Sequence, residues 1–193
     1  MNRNIILIGG GGHCESVIDI IEQQGEYNIF GIVDIESKVG SKVLGHEIIG
    51  TEANLEEIRG KVINAHISLG YVKINKKRKE LFQFLKKIGY SFPTIISPKS
   101  HVSAHAEILE GTIIHHGAIV NSNSKIGSNC IINSNSLTEH GVIIKSNSHI
   151  STGVILNGNV SVGENCFIGS GSIVIEQTVI PDNSFIKAGT LYK

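Results

Sequence analysis

A repeat of six residues governs the C-terminal half of this 193-residue chain. From Val102 to Ile186 every sixth residue is an aliphatic hydrocarbon except Thr138, over fifteen consecutive positions without an insertion. A helix would repeat near every 3.6 residues and a single strand every second residue, so this period predicts a β-solenoid with three short strands per coil. The residue two places earlier is small or β-branched throughout, from Ala106 to Ser184. Because side chains alternate along a strand, both columns should point into the solenoid.

The other positions of each hexapeptide are rich in Gly, Asn, Ser and Lys, which is typical of turns. Three hexapeptides therefore make one triangular coil, and the fifteen units predict five coils stacked about 4.8 Å apart. Thr138 breaks the aliphatic column beside Glu139 and His140. This deviation indicates a functional constraint on that corner rather than a purely structural solenoid.

The N-terminal segment has the order of a βαβ nucleotide-binding unit. A β-rich run from Asn4 to Ile8 leads into four glycines and His13, a helical pattern closing at Gly25, and a strand ending at Asp34. A helix N-terminus behind glycines suits a diphosphate, and the acid at the strand tip suits a base or ribose. The predicted nucleotide-sugar contacts are Gly10, Gly11, Gly12, His13 and Asp34.

The dinucleotide fingerprint G-x-G-x-x-G is not satisfied, because Cys14 occupies its third glycine position. A glycine turn with only a packing role is the alternative. Residues 43–60 suggest a connecting loop and a short helix, 62–69 a strand, and 74–89 an amphipathic helix with a solvated basic face. On that helix Arg78 is the candidate structural or phosphate contact. Prolines near residues 93 and 98 place the boundary between domains 1–93 and 94–193.

Composition restricts the partners. The chain has 17 basic and 17 acidic residues, which gives no reason to expect nucleic acid or a membrane surface. No apolar run approaches 18 residues, and three cysteines without a zinc spacing favour a reduced, cytoplasmic location.

Cys130 and Cys166 fall on inward positions and are interpreted as packing. Turns could cluster His115, His116 and His140, but no acidic partner accompanies them, so no metal site is predicted.

Taken together, the glycines with His13, Asp34, Gly70 with Arg78, and a hexapeptide solenoid containing Glu139-His140 and His149 resemble one family over nearly the whole chain. This family is the sugar O- and N-acetyltransferases of the sialic-acid O-acetyltransferase type. The resemblance implies a small Rossmann-like domain that binds a nucleotide-sugar, followed by a left-handed parallel β-helix. It also implies a homotrimer that holds acetyl-CoA between neighbouring solenoids, with the active sites between subunits.

The resemblance also implies roles for single residues. His140 falls on the general base, and His149 on a second histidine near the acetyl group. Gly158 would offer its N–H to the thioester, and Ala188 would contact pantetheine. Many members carry an acid directly after the catalytic histidine, whereas Gly141 stands here and Glu139 precedes it. Glu139 is therefore the provisional partner of the imidazole.

These observations predict an acetyl-CoA-dependent transferase that acetylates the amino group of a UDP- or GDP-linked 4-amino-4,6-dideoxy sugar, for bacterial surface glycan or glycoprotein synthesis. O-acetylation of a sialic-acid-like sugar is a close alternative that the same base could serve. A non-catalytic scaffold or nucleotide-sensing module is the alternative of another class, and it would not require His140.

Overall fold

The computed structural model describes residues 3–71 and 76–193. Two compact units divide the chain: Met1–Gly70 with Lys77–Pro93, and Tyr71–Lys76 with Thr94–Lys193. We call them the N-terminal unit and the solenoid unit. Among the residues described, none of the helices is both long and apolar enough to cross a bilayer.

The N-terminal unit is a five-stranded sheet with helices, in the strand order β3-β4-β2-β1-β5. All neighbouring strands are parallel except the β3–β4 pair. The elements are β1 Arg3–Ile8, α1 Gly12–Gln24, β2 Tyr27–Val33, β3 Lys42–Val43, β4 His46–Gly50, α2 Leu55–Arg59, β5 Asn64–Ile67 and α3 Lys76–Lys87. The predicted βαβ start is confirmed, and Gly25 ends α1 by donating its N–H to the Ile21 carbonyl at 3.0 Å.

The short helix expected within residues 43–60 is confirmed as α2, but the segment before it is not only a loop, because β4 lies there and pairs with β2. The strand is short and its burial is mixed, so its period of two is weak in the sequence. The helix expected over 74–89 is described from Lys76 onward. Its Leu81 and Leu85 are buried as expected, while Phe84 is exposed.

The solenoid unit contains seventeen two-residue strands joined by four-residue corners. They form three parallel sheets of six, five and six strands, which we call sheets A, B and C. Sheet A holds β7 His101–Val102, β10 Ile119–Val120, β13 Leu137–Thr138, β16 Ile155–Leu156, β19 Ile173–Val174 and β22 Leu191–Tyr192. Sheet B holds β8 Glu107–Ile108, β11 Lys125–Ile126, β14 Ile143–Ile144, β17 Ser161–Val162 and β20 Val179–Ile180. Sheet C holds β6 Ile95–Ile96, β9 Ile113–Ile114, β12 Ile131–Ile132, β15 His149–Ile150, β18 Phe167–Ile168 and β21 Phe185–Ile186.

Each strand pairs with the strand 18 residues later, which confirms the predicted coil. The aliphatic column forms one buried cluster along the solenoid. The repeat is longer than predicted, because Ile96 and Tyr192 continue the inward column by one strand at each end. Both are only partly buried, as expected of terminal coils.

The small inward residues bond to the next coil. The hydroxyls of four of them donate to the carbonyl oxygen fifteen residues later, at 2.7–2.9 Å: Thr112, Ser124, Ser148 and Ser172. Cys130 and Cys166 use their Sγ atoms in the same way, to Lys145 at 3.4 Å and Pro181 at 3.1 Å. Burial also raises the pKa of the Cys166 thiol. Both cysteines are free and buried, so their predicted packing role is confirmed.

The outward residues of the three sheets differ in exposure. The alternation of strand side chains predicts an apolar outer surface that includes Ile113, Ile119, Ile131, Ile143 and Ile155. The prediction is wrong for Ile113 and Ile131, which are both 0% exposed within the chain, whereas Ile119 and Ile143 are 39% and 45% exposed. Ile155 is half-buried. The apolar face that needs a partner is therefore narrower than the sequence indicated.

Candidate active site

The corner between β13 and β14 presents the candidate base. It consists of Glu139, His140 and Gly141, and it directly follows the buried Thr138. The His140 side chain is 64% exposed, so its imidazole is open to a ligand. An exposed imidazole on a rigid corner is suited to proton transfer.

Glu139 lies beside that imidazole. Its Oε2 is 3.6 Å from His140 Nδ1, which is within ion-pair range and longer than a hydrogen bond. The same oxygen accepts a hydrogen bond from Asn121 Nδ2 at 3.0 Å and from the His140 backbone N–H at 3.4 Å. The carboxylate thus faces Nδ1, an arrangement that favours a proton on Nδ1 and leaves Nε2 as the basic nitrogen.

Gly158 lies one coil above His140 and packs against its ring. A Cβ added to Gly158 would be 2.8 Å from His140 Nε2, closer than real contacts allow. Gly158 is buried, and its N–H donates to none of the residues that the structure describes. A buried N–H without an acceptor is costly, so this donor is a candidate for binding a ligand oxygen.

Gly141 has a left-handed backbone, with φ of +69°. A Cβ at this residue would lie 2.3 Å from Asn159 Oδ1. An acidic side chain directly after the histidine would therefore be strained and obstructed here. Asn123 and Asn159, one coil below and above Gly141, hold side chains at nearly the same φ, so the backbone favours glycine at residue 141 without requiring it.

Thr138 points into the core of the solenoid. It is 0% exposed, and among the described residues its Oγ1 has no hydrogen-bond partner. The hydroxyl therefore makes no hydrogen bond to Glu139 or His140. Thr138 is related to that corner only because it directly precedes it in the sequence. A buried hydroxyl without a partner is destabilising.

Thr138→Val should stabilise the protein. The isosteric change removes an unsatisfied buried hydroxyl, and we expect a gain of about 1 kcal/mol in the free energy of unfolding. Denaturant unfolding measures this gain, and kcat should stay unchanged because the corner backbone is retained. Ser124→Ala is the control, because it removes a satisfied inward hydroxyl and should destabilise. A lower midpoint for Thr138→Val would contradict the expectation.

His149 occupies a different environment. It lies on β15 in sheet C, is 5% exposed, and its ring has a Tyr71 carbonyl 3.0 Å from Nδ1. Asn133 Nδ2 lies 3.3 Å from its Nε2, so Nδ1 donates and Nε2 accepts. Tyr71 and Phe167 meet the ring edge to face, with centroids 5.1 and 5.2 Å away.

The predicted solenoid residues fall into two groups. Glu139, His140 and Gly158 share the corner between sheets A and B. His149 lies on sheet C, across the triangular coil, and Ala188 lies on the exposed corner that follows β21 of the same sheet. Within one chain the filled core lies between the His140 corner and His149, and Ala188 lies at the opposite edge of sheet A from that corner.

In the N-terminal unit, Asp34 connects the glycine loop to the end of β2 by hydrogen bonds. Its Oδ2 accepts hydrogen bonds from the Gly10 N–H and Lys38 Nζ, both at 2.8 Å, and its Oδ1 accepts one from the Ile35 N–H at 2.7 Å. Partial burial opposes ionisation, but the bonds from Lys38, Ile35 and Gly10 outweigh it and lower the pKa of Asp34. The carboxylate is therefore ionised above its ordinary pKa range, and it loses its stabilising bonds only as the pH falls through the lowered value.

Gly11 and Gly12 begin α1. Gly11 is the N-terminal cap without a side-chain bond, and a Cβ on either glycine would meet open space. His13 follows in the first turn, where it packs against Gly70. The first N–H groups of the helix thus face an uncrowded region, as a diphosphate site requires.

A cleft of about 420 Å³ opens beside Asp34, at the carboxyl ends of β1, β2 and β5. Ligands of open α/β sheets bind at this edge. The lining is apolar at Ile8 and Val33, and acidic at Asp34, Glu36 and Glu52.

Arg78 is a structural residue. It is 1% exposed and donates from Nη1 to the carbonyl oxygens of Ile67 and Leu69, the latter at 3.1 Å. Of the two roles left open by the sequence, these bonds support the structural one. Residues 3–71 and 76–193 contain no cluster of three His, Cys, Asp or Glu side chains that could hold a metal ion.

The sequence reasoning missed three contacts of the site. Asn121 is 18 residues before Glu139, so the coil length could have identified it. Asn133 is 16 residues before His149, on the corner that directly follows β12, the strand that pairs with β15. Tyr71 carries no sequence signal, because its contact with His149 spans 78 residues outside the repeat.

Comparisons with known proteins match both halves of the chain. Residues 4–85 match the family model of the PglD N-terminal domain. Residues 123–157 and 159–191 match the hexapeptide repeat of succinyl-transferase. No curated protein sequence matches the chain significantly.

Solved structures match over almost the full length. The acetyltransferase domain of PglB from Neisseria gonorrhoeae FA1090 is 28% identical, with a TM-score of 0.91 and coverage of 97% of this chain and 90% of that one. A His-to-Asn mutant of perosamine N-acetyltransferase from Caulobacter crescentus, in complex with CoA and GDP-perosamine, is 29% identical, with a TM-score of 0.90 and coverage of 96% and 86%. WeeI from Acinetobacter baumannii AYE, at 15% identity and a TM-score of 0.57, shares the fold over 95% and 96% of the two chains. The resemblance found in the sequence is confirmed: the chain carries a PglD N-terminal domain followed by hexapeptide repeats, in the arrangement of these solved acetyltransferases.

Proposed function

We propose that this protein transfers the acetyl group of acetyl-CoA to the amino group of a nucleotide-linked amino sugar. The observation that carries the proposal is the corner at His140, where an exposed imidazole lies between the Glu139 carboxylate and the buried Gly158. The perosamine N-acetyltransferase bound to CoA and GDP-perosamine, which matches the whole fold, supports this substrate class. A scaffold would have no use for this arrangement.

In this mechanism the sugar amine attacks the thioester carbonyl. A C–N bond forms, the C–S bond breaks, and coenzyme A leaves as the thiol. His140 Nε2 accepts the proton of the amine, the Glu139 carboxylate supports the resulting imidazolium from the Nδ1 side, and the imidazolium returns that proton to the leaving sulfur. The free N–H of Gly158 would stabilise the carbonyl oxygen as it becomes negative. We propose that His149 and Ala188 of a neighbouring chain contact acetyl-CoA, because His149 lies on sheet C and Ala188 on the corner after β21, and neither lies at the His140 corner.

The glycine loop, His13 and Asp34 would hold the acceptor nucleotide. The open N-terminus of α1 and the cleft beside Asp34 support this assignment. Residues 1–93 would thus act as the acceptor domain and residues 94–193 as the transfer domain.

Asp34→Ala should raise the KM for the nucleotide-sugar and leave the KM for acetyl-CoA nearly unchanged. The change frees the Gly10 N–H and Lys38, so the glycine loop loses its attachment to the end of β2. Steady-state kinetics with each substrate varied in turn measures both constants. Asp19→Ala, on the exposed side of α1, is the control. Equal changes in both constants would refute the assignment.

We further propose a homotrimer that buries the outward face of sheet A. This face carries a continuous aliphatic column, and three of its members are 39–56% exposed: Ile119, Ile173 and Leu191. Exposed apolar columns of this length mark protein interfaces. A second and a third copy of the chain are the proposed occupants, because the two groups of site residues need neighbouring chains to meet.

Sedimentation should give a single species at three times the chain mass of 20.8 kDa. Ile173→Glu places a charge in the centre of the sheet A face and should dissociate the trimer with loss of activity. Ser161→Glu adds the same charge to sheet B and should not. An active monomer would exclude this assembly.

A coenzyme A release assay over UDP-, GDP- and CMP-linked sugars tests the function itself. Each amino sugar is compared with the analogue that has a hydroxyl in place of the amine. Release with the amine alone supports N-acetylation, whereas release with the hydroxyl compound supports the O-acetyl alternative. Release with neither group on any nucleotide would refute the proposal.

A further inference from the structure

The Glu139 carboxylate has few restraints of its own. Its side chain is 34% exposed, and its Oε2 meets three donors: Asn121 Nδ2, the His140 N–H and His140 Nδ1. Two of these three donors belong to His140 itself, so they would move together with that residue. Asn121 Nδ2, at 3.0 Å, is the shortest of these contacts and the one that comes from another coil.

The role of Asn121 differs from that of the other asparagines. Asn129 with Asn147, and Asn165 with Asn183, form amide pairs between successive coils on another corner, where all four have left-handed backbones. These pairs are structural. Asn147 also donates to an acid, Glu164, at 3.1 Å. Asn121 differs in that it has no left-handed backbone and that its acceptor is the carboxylate beside His140.

Asn157 provides a direct comparison. It lies on the same corner, 36 residues after Asn121 and thus two coils above it, and occupies the same place in the hexapeptide. Its Nδ2 donates to the Val174 carbonyl at 2.8 Å. At equal positions in the repeat, one amide therefore holds the backbone and the other holds the carboxylate beside the base.

We propose that Asn121 is a positioning residue, which holds the Glu139 carboxylate beside Nδ1 of His140 and thereby keeps Nε2 of the ring free to act as the base. The effect of Asn121 on catalysis rests on the proposed function. Its effect on which nitrogen of the His140 ring carries the proton does not. Without the amide, the exposed carboxylate would gain rotamers that point into solvent and away from the imidazole.

The kinetic test is a double-mutant cycle of Asn121→Ala and Glu139→Gln. Asn121→Ala should lower kcat about 3- to 10-fold, the effect of one hydrogen bond, with both KM values unchanged. The double variant should be no slower than Glu139→Gln, because Asn121 acts through Glu139. Asn121→Asp keeps the shape but sets two carboxylates against each other, so it should be at least as slow as Asn121→Ala. Asn157→Ala, the matched control, should retain kcat.

A second measurement does not depend on activity. The imidazole ¹⁵N shifts of His140, assigned by their loss in His140→Gln, report which ring nitrogen carries the proton. The unsubstituted protein should show the Nδ1–H form, and both Asn121→Ala and Glu139→Gln should increase the Nε2–H form. Asn157→Ala should not change the shifts.

The outcomes separate the two proposals. If Glu139→Gln changes the ring and Asn121→Ala does not, Asn121 is not a positioning residue. Losses in kcat that multiply in the double variant would overturn the proposal as well. If no nucleotide sugar is acetylated but the ¹⁵N shifts respond as expected, the proposed function fails while the role of Asn121 stands.

Discussion

Replacing His140 with alanine is expected to lower kcat for acetyl transfer by about 10²–10⁴-fold, the usual contribution of general-base assistance. The imidazole is 64% exposed, so its removal leaves no cavity in the core and the fold should be retained. The amine would then have to lose its proton to water as it attacks the thioester. Steady-state kinetics with the true acceptor measures this loss. Glu139→Ala should cost less, because it leaves the base in place.

The control for this variant is His105→Ala, an exposed histidine on the same edge of the solenoid, which should retain kcat. Sedimentation and thermal unfolding of His140→Ala should match the unsubstituted protein. If His140→Ala keeps most of its kcat, the mechanism is wrong and the histidine only binds.

The second large effect is expected at Gly158. A methyl group there would lie 2.8 Å from His140 Nε2, so the ring would have to turn away from its place beside Glu139. A displacement of about 1 Å in a catalytic group can cost up to 10²-fold, and we expect Gly158→Ala to lower kcat by about 10- to 100-fold. The fold should be retained, because a side chain can move more easily than backbone.

Ser122→Ala, at the matching position one coil below His140, is the control and should leave kcat unchanged. In the His140→Ala background the Gly158→Ala substitution should have a much smaller effect, because the ring it displaces is absent. A loss of equal size in both backgrounds would contradict this expectation, because the added methyl group would then act on something other than the ring.

Much of the site could be located from the repeat. A strict period of six fixes which residues point inward, and a coil of 18 residues places Gly158 above His140 and Asn121 below Glu139. The position of the acid is also explained locally. Glu139 directly precedes His140 in the sequence, and the structure places its carboxylate beside the ring. Such inferences succeed because neighbours in a solenoid are separated by constant distances in sequence.

Contacts outside the repeat could not be predicted from a constant separation in sequence. The Tyr71 carbonyl holds the ring of His149, and Arg78 is buried against the end of β5, although a basic stretch surrounds it in the sequence. Ile113 and Ile131 are covered, whereas Ile119 on the equivalent outward position is exposed. These differences in exposure depend on which chain segments cover each face. The local sequence pattern does not specify that coverage.

The sequence by itself determined the solenoid, its coil length and the βαβ start, because each follows from side-chain periodicity or from spacing along the chain. Only the tertiary structure decided that the Glu139 carboxylate faces His140 Nδ1, that Gly158 lies against Nε2, and that Asp34 is held by the glycine loop and Lys38. The physical reason is that hydrogen bonds depend on rotamers and on approaches of about 3 Å, whereas a sequence pattern specifies only the face on which a residue lies.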